Sequence, residues 1–191
     1  MAISLNDLTA NAEIRERIFS ICDIDIVAGT SEPASWITID GTTDFSVIAR
    51  DGSGGLFVVT PSSPRIIYAS SEGEAGVIAD DLESLMVLVV TCPYWQDLLK
   101  YCGSGRTVEE MRRAAPFIES SWIGEEEEFA QAREFLASGL GIAAPRDLLG
   151  ALHRAVSTPV DVCFHGVPAT SLFGRFTIDD NPFYRPENPA G

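Results

Sequence analysis

FSVIARDGSGGLFVVTPSSPRIIYAS, residues 45–70, is the stretch whose reading decides the fold. Three short runs rich in β-branched and aromatic residues, Phe45–Ala49, Leu56–Thr60 and Arg65–Ser70, are separated by Asp51-Gly52-Ser53-Gly54-Gly55 and by Pro61-Ser62-Ser63-Pro64. Turns this tight return the chain antiparallel, because a parallel crossover needs about a dozen residues or more. Trp36–Ile39, closed by Asp40-Gly41, reads as one more strand ahead of them. The expectation is an antiparallel meander.

Working outward, Asn11 to Cys22 places Ile14, Ile18, Phe19 and Cys22 on one face of a helix. Ser71-Glu72-Gly73-Glu74-Ala75-Gly76 reads as a polar loop. Asp80 to Thr91 reads as a helix with its aspartates at the positive end of the dipole. Leu82, Leu85, Met86, Leu88, Val89 and Val90 leave it little polar face, which puts it against the sheet. Pro93 stops that helix and opens a short one, Tyr94 to Tyr101. Beyond the break Gly103-Ser104-Gly105, helices are expected at Thr107–Glu119, from a Thr-Val-Glu-Glu capping box, at Glu125–Ser138, closed by Gly139, and at Pro145–Val156. Val160–His165 and Ser171–Ile178 read as late strands, and residues 179–191, with Pro182, Pro186 and Pro189, as a loose tail. Gly103–Gly105 either divides a sheet-bearing core from a helical accessory region or is a loop inside one unit; because late strands need a sheet to join, the preferred reading is one α+β domain over residues 1–180. Its core spans about 11–102, and a helical and strand extension covers 103–178.

The 191 residues hold 28 acids against 13 bases, a net charge of −15. Such a field repels nucleic-acid phosphates and anionic membrane surfaces and draws in basic proteins, so nucleic acid and membrane are excluded as partners. Residues 1–100 hold 15 acids and five bases, and residues 101–191 hold 13 and eight, so a basic partner should prefer the first half. The longest apolar run, Leu85–Val90, is far too short to span a bilayer, and the N-terminus lacks a basic head followed by an apolar run. Cys22, Cys92, Cys102 and Cys163 form no CxxC, and three sit in apolar settings as core thiols of a reducing compartment. These features together predict a cytoplasmic protein.

The search for chemistry yields no complete site. The glycine cluster lacks the last glycine of a dinucleotide fingerprint, since Phe57 stands there, and it precedes a strand, so the glycines read as a hairpin turn. Cys163-Phe164-His165 is a candidate nucleophile and base, or half a zinc site. With His153 the only other histidine, it reads better as a core cysteine and a surface histidine; a small hydrolase or transferase site there is the alternative. Four acids, Glu125 to Glu128, suit a helix start as well as the grip on a basic partner. Trp36, Tyr94, Trp95 and Trp122 are aromatic candidates for an interface, Tyr94 and Trp95 reading as half-buried packing residues with a polar edge. Glu72 and Glu74 form an exposed acidic loop where a partner's Arg or Lys could dock. No catalytic, cofactor or metal set emerges. The candidate protein-binding residues are Asp51, Glu72, Glu74, Asp80, Asp81 and Trp95.

The order of parts resembles the SUKH superfamily, which includes the Smi/Knr-type proteins and many bacterial immunity proteins. The resemblance runs over residues 36–102: a strand, the Gly-rich turn Asp51–Gly55, two more strands, the polar loop Ser70–Gly76, and an apolar helix ending in Pro93-Tyr94-Trp95. Residues 103–191 do not match the shorter family core. The resemblance implies a mostly antiparallel sheet backed by helices and no catalytic residues. It also implies a non-catalytic role, binding and neutralising a cognate polymorphic toxin of nuclease or deaminase type. A regulatory scaffold binding a non-toxin protein is the second reading it allows.

Overall fold

The computed structural model describes residues 3–30, 36–123, 127–143 and 145–180. It is a mixed α+β fold around a six-stranded sheet, ordered β1-β3-β4-β5-β6-β9. The strands are β1 (Ile24–Thr30), β3 (Ser46–Asp51), β4 (Leu56–Thr60), β5 (Ser63–Ala69), β6 (Glu74–Ala79) and β9 (Thr170–Ser171). All neighbours are antiparallel except β6 and β9. The meander is therefore present over residues 46–79.

Alternation along each strand separates two cores. Phe57, Ile66, Tyr68 and Ile78 face the helices, whereas Leu56, Val58, Ile67 and Val77 face the other way. The helix side holds α1 (Leu5–Ala10), α2 (Ala12–Cys22), α3 (Leu82–Thr91), α4 (Trp95–Lys100), α5 (Val108–Ile123) and α6 (Glu127–Leu140). The far face is covered by a three-stranded sheet, β2 (Ile37–Ile39), β7 (Val162–Phe164) and β8 (Val167–Pro168). Helix α7 (Leu148–Val156) packs along β6, with Leu152 in one core and Ala155 in the other.

Several elements differ from the sequence reading. Trp36–Ile39 leaves the meander: β2 pairs with β7, where Ile37, Thr38 and Ile39 oppose Phe164, Cys163 and Val162. The polar loop is shorter than expected, since Glu74 already belongs to β6, where the chain regains pairing partners on β5. Strand β1, where Ile24 and Ile26 are buried on either side of Asp25, and the six-residue helix α1 lie outside the elements expected from the sequence. Helix α3 begins at Leu82, with Asp81 capping it through the amide of Ser84 at 2.7 Å, so Asp80 lies ahead of the helix. Helix α5 runs on through Pro116 to Ile123, past the expected end at Glu119. Helix α6 passes through Gly139 and closes at Gly141, whose φ of +65° only glycine adopts cheaply. In place of a strand over 171–178, only Thr170–Ser171 pairs, and a 3-10 turn follows at Ile178–Asp180. Residues 181–191, Glu125 and Glu126 lie outside the described residues, as do the side chains of Glu127 and Glu128.

Candidate functional site

The Gly-rich turn, the β5–β6 turn and helix α4 meet at one end of the sheet. Asp51 organises the junction. Its Oδ1 accepts from the Ser53 amide (3.0 Å), the Ser53 hydroxyl (2.7 Å) and the Gly55 amide (2.7 Å). Its Oδ2 accepts from the Tyr68 hydroxyl (2.5 Å) and from Gln96 Nε2 (3.1 Å), which also donates to the Tyr68 oxygen (3.1 Å). One carboxylate thus joins a hairpin turn, a central strand and a helix. Gly54 turns the chain with φ of +91°, and a Cβ at Gly55 would collide with the Tyr68 hydroxyl and the Asp51 carboxylate.

Burial works to raise the Asp51 carboxyl, but the bonds from Tyr68, Ser53, Gly55 and Gln96 outweigh it and hold the group below its usual range. Burial, joined by the bond to Asp51, pushes the Tyr68 phenol upward. The pair is therefore an ionised carboxylate and a neutral phenol at neutral pH. Beneath it, Trp95 meets Tyr68 edge-on at 5.1 Å and 89°, and Phe57 lies 5.0 Å from Tyr68.

Above this floor opens a cleft of about 150 Å³. Ser53, Ser70, Glu72 and Glu74 line it from the turns, and Gln96 and Leu99 from α4. Ser70 is itself buried, and its hydroxyl accepts from the amides of Glu72 (3.2 Å) and Glu74 (3.1 Å), fixing the turn that bears both acids. Lys100, also at the cleft, is held by Asp97 on its own helix at 2.9 Å. Among the described residues no cation pairs with Glu72 or Glu74.

Of the six candidate residues, Glu72, Glu74 and Trp95 share this cleft, and Asp51 lies at its floor through Tyr68 and Gln96. Trp95 is 2 % exposed, so it is a wall of the cleft and not a projecting contact. Asp80 and Asp81 sit at the other end of β6, the whole strand away from Glu74. The candidate acids thus fall into two patches. Sequence reasoning missed Tyr68 and Gln96. Their link to Asp51 crosses 17 and 45 residues, and no local pattern announces it.

Cys163 and His165 have other neighbours. The Cys163 thiol approaches Asp161 Oδ1 at 3.7 Å, and the His165 ring lies on Trp36 at 6.1 Å, its backbone in the left-handed region with φ of +51°. Among the described residues no hydrogen bond joins the two. Cys22, Cys92 and Cys102 are buried, and burial pushes each thiol up to about 12, which keeps them protonated and unreactive. Tyr94, read as half-buried, is fully buried, whereas Trp122 is 42 % exposed with its indole N–H on Asp97. Among the described residues no three metal-ligating side chains come together, and no helix is long and apolar enough to cross a membrane.

A scan against protein-family models, a search of curated proteins and a search of solved structures each returned no match.

Proposed function

We propose that this chain is a non-catalytic protein-binding module of SUKH type, an immunity protein that neutralises a basic toxin in the cytoplasm. The observation behind the reading is the pair of cation-free carboxylates, Glu72 and Glu74, set by Ser70 at the mouth of a cleft whose polar floor is already bonded. A floor in which Asp51, Tyr68 and the Gln96 amide nitrogen are bonded to one another has less left for a small substrate, while the carboxylates at the rim remain available to a partner's arginine or lysine. Toxins that attack nucleic acid need basic surfaces to hold phosphates, and a chain of net charge −15 is complementary to them. Docking there occludes the toxin's substrate channel or a neighbouring surface.

The test is affinity purification from native lysate with the tagged chain and with its Glu72→Lys/Glu74→Lys variant, at low and high salt. The reading expects one basic partner, lost at high salt and lost from the variant, that is toxic when expressed alone and harmless beside the chain. A partner harmless on its own makes the chain a regulatory scaffold instead. A partner held equally by the variant at every salt concentration refutes the cleft as the docking site.

A further inference from the structure

At the opposite end of β6 from the cleft, the N-terminal segment, the meander and the start of α3 enclose a second concavity of about 300 Å³. Its lining is apolar: Leu5 from α1, Val59 and Ile66 from the sheet, Pro64 from β5 and Leu82 from α3. Leu5, Val59 and Leu82 are only partly buried, so apolar surface remains open to solvent. Its volume is at the lower end of the range in which pockets enclose a ligand, enough for one large side chain and its neighbours.

The rim carries charge of one sign. Asp81 and Glu83 border the groove, and Asp80 precedes them. One oxygen of Asp81 caps α3 through Ser84, and none of the three carboxylates meets a cation among the described residues. The half-charge at the start of α3 offsets only part of their field. An apolar pocket with a charged rim is the arrangement in which one buried anchor supplies affinity and the rim supplies selection.

We propose that this groove docks a protein segment presenting one large apolar side chain flanked by arginine or lysine. Charge selects that occupant over a second copy of this chain, which would bring its own net −15 against the same three acids. The proposal goes beyond the cleft of Glu72 and Glu74 and does not depend on it.

The full chain, with its Ile, Leu and Val methyl groups isotope-labelled, is titrated with a blocked tetrapeptide of sequence Arg-Leu-Phe-Arg and watched by NMR. The control peptides carry citrulline or glutamate in place of both arginines. The expected result is saturable shifts at Leu5, Val59 and Leu82, weaker with citrulline and absent with glutamate. Glu83→Lys, which leaves the cap at Asp81 intact, should weaken binding about fivefold, the scale of one exposed charge pair. Asp80→Lys, outside the helix, is the second variant and should act in the same direction. Silent groove methyls, equal binding of all three peptides, or responses confined to other surfaces overturn the proposal. Methyl shifts that grow with protein concentration and no peptide also overturn it, since the occupant is then a second copy.

Discussion

Among the described residues, six ion pairs lie between Asp97 and Asp179, whereas along and beside β6 no cation pairs with Glu72, Glu74, Asp80, Asp81 or Glu83. In the helical region Arg112 bridges Glu109 and Asp147, and Arg113 bridges Glu110 and Asp179. These pairs are mostly exposed, so they add little to stability. Their consequence is electrical: a carboxylate already facing an arginine offers little to an approaching cation, and an unpaired one offers its full charge. The net charge of −15 is therefore spent unevenly. On the helical side arginines already face several of the acids, and the two ends of β6 present carboxylates without such partners to a basic protein.

The sheet end must then hold its acids in place without ion pairs: Ser70 accepts from the Glu72 and Glu74 amides, and hydrogen bonds to Asp51 tie the neighbouring turn, strand and helix together. The largest effect expected is on that hub. Asp51→Ala strands the Tyr68 hydroxyl, two turn amides and Gln96, and should cost about 3 kcal/mol of unfolding free energy in a denaturant titration. A loss of under about 1 kcal/mol would mean the hub does not organise this end. Next comes Arg133, whose guanidinium donates to the carbonyls of Val90 (3.1 Å) and Thr91 (2.8 Å) at the close of α3. Arg133→Met should cost about 2 kcal/mol by the same measurement.

The third expectation concerns pH. The Asp51 carboxyl lies below its unfolded value, so its contribution is fully present above the ordinary carboxylate range and is lost as pH falls through the lowered folded value. Asp51→Asn should flatten that part of the stability-against-pH curve, and an unchanged acid limb would assign the loss to other groups. The smallest effects belong to the exposed charges. Arg113→Ala should lower the melting temperature slightly at low salt and not at all near about 1 M, where the screening length falls to about 3 Å. Glu72→Lys/Glu74→Lys should leave the melting temperature unchanged, because those carboxylates have no partner to lose. A clear destabilisation there would erase the contrast between the two regions.

The meander and the central helix were legible because their signals are local. Gly and Pro punctuate residues 45–70, Asp81 caps α3, and Pro93 follows its end. The candidate site was legible only in part. Glu72 and Glu74 stood out as acids in a turn, and Asp51 as the first residue of a Gly-rich turn, but its role as a buried acceptor did not. Asp51 was read as a contact, and its five bonds turn it inward.

By itself, then, the sequence determined the tight turns of the meander, the apolar character of the central helix α3, and how much negative charge the chain must carry. These follow from neighbours within a few positions, where backbone sterics and periodicity act directly. Only the tertiary structure decided that β2 pairs with β7, with Ile37 opposite Phe164 in a distant part of the chain, and that Thr170–Ser171 closes the sheet beside β6. It also decided that the acids divide into two patches at opposite ends of one strand. Such pairings depend on chain closure and on which faces remain uncovered once the local elements have formed, and no window along the sequence contains that information.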